Sequence, residues 1–361
     1  NQLSETVLTN ARGNYERASV CYLQLSYNLS RRLHWAMEQG LTGLRYCGLD
    51  IPEIDQINHE WADKEEALLT EQLQTVDLKK IISTTKENIS QALQLECLIL
   101  TRLSGYSQVA GLYPLLRYSN YRAMGLMLNR GAGKQTVTIL GLYSVLLAKQ
   151  HRYIDANFFA KTALQLVELY PQSTQLPVFY NGIGAMQWFY TSPFSEAIEF
   201  QQKSHKLGFE FGEIFGGIFA GFSNSIINYF VMGLPLEKLS NRLEKLQGIM
   251  VKYDIKISGG SYYSRLVSQL MQASISNKNL PNPFEKSAFS SVEWPFIQSC
   301  VMKPFVEHLQ LQWLFWSEQN ELAWQAVKNA EPSLELMSGF ITPLEHRFLA
   351  ALLAAFLIIS G

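Results

Sequence analysis

Apolar residues recur at three- and four-residue spacing along almost the whole chain, and strict alternation is nearly absent. That periodicity predicts helices throughout, and no Asn-Gly turn joins two alternating apolar runs. Eight of the twelve prolines (Pro52, Pro114, Pro171, Pro177, Pro193, Pro235, Pro332 and Pro343) fall between periodic stretches, where they open or end a helix. Thr84 followed by Glu87 in "STTKENISQAL" reads as a capping box at a helix start. One stretch, 276–296, has the composition of a long loop. The pattern therefore predicts a helical repeat array over 1–275, a loop-rich connection over 276–296, and further helical repeats over 297–361 that continue it.

The helices group into hairpins. In 142–171, Tyr143 and Leu147 face inward from the first helix, Tyr153 marks the turn, and Ala156 and Ala163, seven apart, let the second helix approach closely. In 181–208, Gly184 and Ala185 are small, Trp188 is large, and Ala197 and Ser204 repeat the seven-residue spacing. Ala156 and Ala197 are 41 residues apart, about two helical turns more than the 34-residue tetratricopeptide (TPR) hairpin. A third unit, 221–250, places Phe230 where Trp188 stands and Leu239 where Ala197 stands. Residues 29–52 read as the second half of an earlier unit, with Ala36 and Gly43 seven apart. Residues 309–332 read as a later one, with Ala323, Ala326 and Ala330 on one face. Each hairpin has two apolar faces that only its neighbours can bury. The fold class predicted is all-α: a TPR-like, right-handed superhelix of helical hairpins with a concave and a convex surface.

Composition narrows the function classes. Of 361 residues, 47% are hydrophobic and 17% charged, against about a quarter charged in an average soluble domain. The formal net charge is −1, so the basic excess that a nucleic-acid surface requires is missing. Cys21, Cys47, Cys97 and Cys300 lie far apart in apolar helical contexts and read as reduced core thiols of a cytoplasmic protein. The first residues, "NQLSETVLTN", have neither the basic nor the apolar region of a signal peptide. The 12-residue apolar run 348–359 falls short of the roughly 20 that span a membrane, so a buried last packing helix is expected and no membrane insertion. Both ends look cut, as in a piece of a longer protein.

Several motifs approach known chemistry and miss it. "NRGAGKQT", 129–136, resembles a P-loop, but Leu128 stands where the first glycine belongs and Gln135 where the magnesium-binding hydroxyl belongs. A helical pattern, not a strand, precedes it, so Asn129, Gly131 and Gly133 read as a helix–turn–helix corner with Lys134 in solvent. "HEWAD", 59–63, lacks the second histidine of the zinc motif, and with Lys64, Glu65 and Glu66 it reads as a solvated face. His34, His59, His151, His205, His308 and His346 share no spacing, and none pairs with a serine or cysteine in a catalytic pattern. No catalytic set, metal site or cofactor motif is read. The aromatic run 188–190 has two readings: Trp188 takes a packing position, while Phe189 and Tyr190, with Met186, are the candidate ligand- or partner-binding residues on the concave side. The alternative buries the run in the core.

Five stretches in order resemble a family. They are 36–53 ("AMEQGLTGLRYCGLDIPE"), 112–147, the "FFAKTALQLVELYP" segment, 197–239, and "LFWSEQNELAWQAVKNAEP" followed by "HRFLAALLAAF". Together, over roughly residues 16–356, the chain resembles the helical-repeat arm that follows the ATPase domain in bacterial STAND-type AAA-ATPase signalling proteins of the Ser/Thr kinase–ATPase–GAF–sensor histidine kinase layout. The family's Gly-Asp reads "EFGEIFGG" here and its FY-S-L reads "RFLAALL", which leaves the output domain open. The resemblance implies a non-catalytic interaction and regulatory module whose partners are other proteins or adjacent domains of the same chain. A second implication is an arm that senses a small inducer, as in STAND-type transcription regulators.

Overall fold

The computed structural model describes residues 2–28, 32–75, 77, 89–131, 133–255, 284 and 302–360, and these are all-helical, with fifteen α-helices and no strand among them. The capping box at Thr84, Cys300 and the predicted connection 276–296, Phe284 excepted, lie outside the described residues.

After α1 (Gln2–Asn10), helix α2 (Asn14–Asn28) packs along α3 (Leu33–Tyr46). Ala36 and Gly43 are both buried on α3, as their spacing predicts. A Cβ added at Gly43 would lie 3.0 Å from Ile99 Cδ1 and 3.1 Å from Cys21 Cβ. Next come α4 (His59–Thr75), α5 (Gln91–Ala110) and α6 (Tyr113–Arg130), with α6 packed on both α4 and α5. The near-P-loop is the predicted corner. After α6, Gly131 and Gly133 take positive φ (79° and 50°), one 3₁₀ turn follows, and Lys134 is exposed.

The next two hairpins are α7 (Thr136–Lys149) with α8 (Tyr153–Val167), and α9 (Leu176–Met186) with α10 (Phe194–Phe211). The first helices of the two also pack on each other. Tyr143, Leu147, Ala156 and Ala163 are buried, with the Tyr143 and Phe159 rings edge-to-face at 4.9 Å. Gly184 brings α9 against α10: a Cβ there would lie 2.7 Å from the Ala197 carbonyl oxygen and 3.1 Å from Phe200 Cβ. Gly208 does the same on the far side of α10, where a Cβ would meet Ile218 N at 2.6 Å.

That far side is a π-helical turn, Ile214–Phe219, which runs into α11 (Ala220–Val231). Its signature is Ile218 N donating to Glu213 O, five residues back, at 3.0 Å. Glu213 caps the turn by accepting from Gly216 N at 3.1 Å and pairs with Arg102 of α5. Burial alone would raise the Glu213 carboxyl; Arg102 and the Gly216 N–H hold it below its ordinary value. Helix α12 (Leu236–Lys252) follows and buries Leu239, Leu243 and Leu246. Beyond the undescribed stretch come α13 (Met302–Trp316), α14 (Asn320–Ala330), a 3₁₀ segment (Glu331–Met337) and α15 (Thr342–Ser360). Ala323, Ala326 and Ala330 share the buried face of α14.

Two expectations need correction. The acidic face of α4 is not simply solvated: Asp63 Oδ1 lies 2.8 Å from Arg117 Nη2, Glu66 also pairs with Arg117, and Glu65 faces Arg122 at 3.8 Å. These pairs fasten α4 to α6, which the sequence could not show because the arginines lie some fifty residues on. Nor is α15 buried: Leu349 and Leu353 face inward, but Phe348 is 62% exposed and Ile359 84%. Among the described residues, Thr342–Ile359 and Ile214–Val231 are long and apolar enough to cross a membrane by length and composition.

The glycine contacts give a direct test. Gly184→Ala improves helix propensity yet forces a methyl against a carbonyl, so unfolding in urea is expected to show a loss of about 1–3 kcal/mol. Gly105→Ala on α5, where a Cβ meets nothing within 4 Å, is expected to be neutral or stabilising by up to about 1 kcal/mol.

Candidate functional site

The turn between α7 and α8 is built on a left-handed residue that is not glycine. His151 has φ 61°. His151 N donates to Ala148 O at 3.0 Å and Arg152 N to Leu147 O at 2.9 Å, the paired bonds of a Schellman cap. Histidine there costs about 1–2 kcal/mol relative to glycine. Its Nδ1 lies 2.8 Å from the Tyr153 hydroxyl. The cap leaves Lys149 in the last turn of α7 with its side chain buried.

The segment after α14 reaches this turn. Lys149 Nζ donates to Ser338 O at 2.6 Å, and Tyr190 Oη donates to Phe340 O at 2.9 Å. The Tyr190 ring stacks on Tyr153, centroids 4.3 Å apart and 20° from parallel. Gly339, at φ 93°, threads between: a Cβ on it would lie 3.0 Å from Lys149 Cγ and 3.3 Å from Met186 O. Met337 and Phe340 share a buried cluster with Ala185, and Met186 packs against it. Residues 338–340 thus form a seam joining two hairpin corners to the C-terminal helices.

Here the three sequence-predicted site residues are found. Met186 and Tyr190 stand in the seam. Phe189 lies beside them, half-buried, stacked on Phe194 at 5.3 Å and packed against the larger core. Trp188 is buried and donates from Nε1 to Glu196 Oε2 at 2.7 Å. The structure sets the three candidates side by side, with Met186 and Tyr190 against the chain's own C-terminal segment. Sequence reasoning had no means to see the segment that covers Met186 and Tyr190.

A cavity of about 410 Å³ opens beside the seam. Its walls come from four places: the start of α4 (His59), the α5–α6 junction (Gln108, Tyr113), the α7–α8 corner (Lys149, His151) and the end of the 3₁₀ segment with the residue after it (Glu335, Ser338). Ammonium groups have three donors, and the hydrogen bond to Ser338 O uses one of Lys149's. No carboxylate among the described residues lies within ion-pair distance of it. Burial accordingly pushes the lysine down to about 8. Gln108 is 9% exposed, and its Oε1 is buried without a hydrogen-bond partner among the described residues. Lys149 went unnoticed in the sequence because a lysine at a helix C-terminus is ordinary; only its burial sets it apart.

A second polar cluster joins α13 to α15. His308 Nε2 lies 2.9 Å from Glu345 Oε2, Gln312 Nε2 donates to Glu345 Oε1 at 2.7 Å, and the His308 and His346 rings are 5.9 Å apart. Both rings are buried. Burial, and then the neighbouring His308, push His346 down to about 4. These histidines share no motif because they come from separate helices. The thiols of Cys21 and Cys97 are buried and pushed up to about 11 and about 12, which suits packing rather than reactivity. Comparison with protein-family models, with curated proteins and with solved structures gave no match.

Two pH dependences follow. The folded-state pKa of Lys149 lies below its unfolded value, so between about pH 8 and 10.5 the unfolded chain binds more protons and this group's contribution to stability rises with pH. Across that range the denaturant stability of wild type minus that of Lys149→Met should rise with pH, the raised thiols being common to both. His346 is depressed too, so its contribution is complete above about pH 6.5 and is lost as pH falls toward 4. His346→Leu should flatten the stability profile between pH 6.5 and 4.

Proposed function

We propose that this chain is a non-catalytic, TPR-like helical-repeat module of a larger signal-transduction ATPase or sensor kinase, acting in the cytoplasm. On this reading the hairpins form a right-handed superhelical arm that binds a protein partner or an adjacent domain and passes its occupancy to the output. The carrying observation is the seam: hairpin corners at Lys149, Tyr153 and Tyr190 are clamped to the segment that leads into α15. A contact of that kind can be made or broken as a unit. A partner that binds the clamped and released forms unequally would then shift the balance between them. The family resemblance in the sequence supports the same reading.

The cavity at Lys149 favours a second reading, in which the arm senses a small molecule. The cavity, not the Phe189–Tyr190 surface, is then the receiving site, and Met186, Phe189 and Tyr190 lie beside it as the part that feels occupancy.

The test uses the full-length polypeptide. Tyr190→Ala combined with Phe340→Ala should loosen the seam and change basal nucleotide turnover or autophosphorylation several-fold, while the isolated 361-residue chain has neither activity. Turnover by the isolated chain, or flanking sequence with no ATPase or kinase domain, would defeat the proposal.

A further inference from the structure

We infer that the cavity bounded by Lys149, Gln108, His59, Tyr113 and His151 is a binding site for a small organic molecule carrying a single carboxylate. The inference rests on the ligand-sensing reading and gives it a chemical class.

The argument begins with unused donors. A buried ammonium with one carbonyl partner is poorly solvated, and the free energy lost by removing it from water is recovered only when its other protons find acceptors. A carboxylate offers two oxygens, enough for both remaining N–H groups of Lys149. The Gln108 side chain lines the cavity as well, from the α5–α6 junction. The rings of His59 and Tyr113, centroids 6.5 Å apart, and Leu116 add aromatic and apolar lining.

Charge count selects the carboxylate. One ammonium lines the cavity, beside two histidines and the exposed Glu335. With Glu335 counted, a carboxylate leaves one negative charge there and a phosphate dianion two, so the monoanion is the less penalised of the two. A neutral molecule would leave the ammonium as it is. The titratable groups that face the cavity are therefore His59 from α4, Tyr113 from α6, Lys149 and His151 from the corner, and Glu335 from the C-terminal segment.

The site also has the means to report occupancy. Ser338 O, the present partner of Lys149, belongs to the seam, and Gly339 packs on the lysine stem. A carboxylate on the two remaining N–H groups of Lys149 shares that ammonium with Ser338 O, so ligand and seam are held by one nitrogen.

Calorimetric titration of the whole chain provides the test. The probes are acetate, pyruvate and benzoate, each run beside its amide, with inorganic phosphate as a separate arm. At least one carboxylate should bind, its amide about tenfold or more weaker, as for a charge-assisted hydrogen bond. Lys149→Met should lose at least about tenfold of that affinity, Glu335→Gln should gain, and affinity should fall as pH passes above about 8. In unmutated protein, the bound carboxylate should also slow labelling of Lys149 by trinitrobenzenesulfonate, a readout that does not depend on a variant folding. Phosphate binding more tightly than every carboxylate, or an amide equal to its acid, would overturn the carboxylate class and leave the sensing reading standing. Absence of binding or protection by all seven compounds would overturn both.

Discussion

Helix α10 holds its place because its neighbours come close enough for backbone to touch backbone. Gly184 on α9 faces the Ala197 carbonyl, Gly217 in the π-helical turn faces Gly208, and Gly221 on α11 faces Gln201 and His205. A methyl group at any of these would stand 2.6–3.1 Å from main-chain atoms. Close approach on both sides lets Ser204 Oγ reach Pro177 O at 2.6 Å and Asn228 Nδ2 reach Gln201 Oε1 at 3.0 Å. Helices α9, α10 and α11 are therefore spaced by main-chain contact, and the larger side chains fill what is left. The position of the α9–α10 corner follows from that spacing, and with it the place of Tyr190.

From there the seam takes its geometry. Tyr190 stacks on Tyr153 because the two hairpin corners lie side by side, and both rest on short segments with little freedom. Phe340 and Met337 fill the angle below them. The Arg102–Glu213 pair, 111 residues apart in sequence, braces α5 against the π-helical turn. Removing either partner would leave the other as a buried charge, so the brace acts as a constraint on arrangement more than as a source of stability.

Much of the helical plan was legible in the sequence. The seven-residue spacing of Ala36 and Gly43, of Ala156 and Ala163, and of Ala197 and Ser204 marks buried faces because small residues at that interval line one side of a helix. The corner at Gly131 and Gly133 was legible for a related reason, since left-handed backbone favours glycine. At the α7–α8 corner the turn itself was legible at Tyr153, but the same rule gave no sign of its left-handed residue. His151, Asp254 and Glu318 also take positive φ, and no sequence rule marks such residues in advance. The acidic face of α4 and the burial of Lys149 were invisible for a different reason: each depends on segments fifty to nearly two hundred residues away. Long-range partners decide whether a charge is solvated, and periodicity carries no record of them.

The π-helical turn has a consequence for what the later hairpin shows its neighbours. One extra residue in a helix rotates everything after it by about 100° about the axis. Asn224 and Asn228 lie downstream of that offset, and they are the residues that meet Asn181 Oδ1, Gly184 O and Gln201 Oε1. In an unbroken α-helix a different stripe would confront those acceptors. A single surplus peptide unit thus dials a polar register into the α9–α11 junction, and two amides rather than aliphatic chains become its zipper.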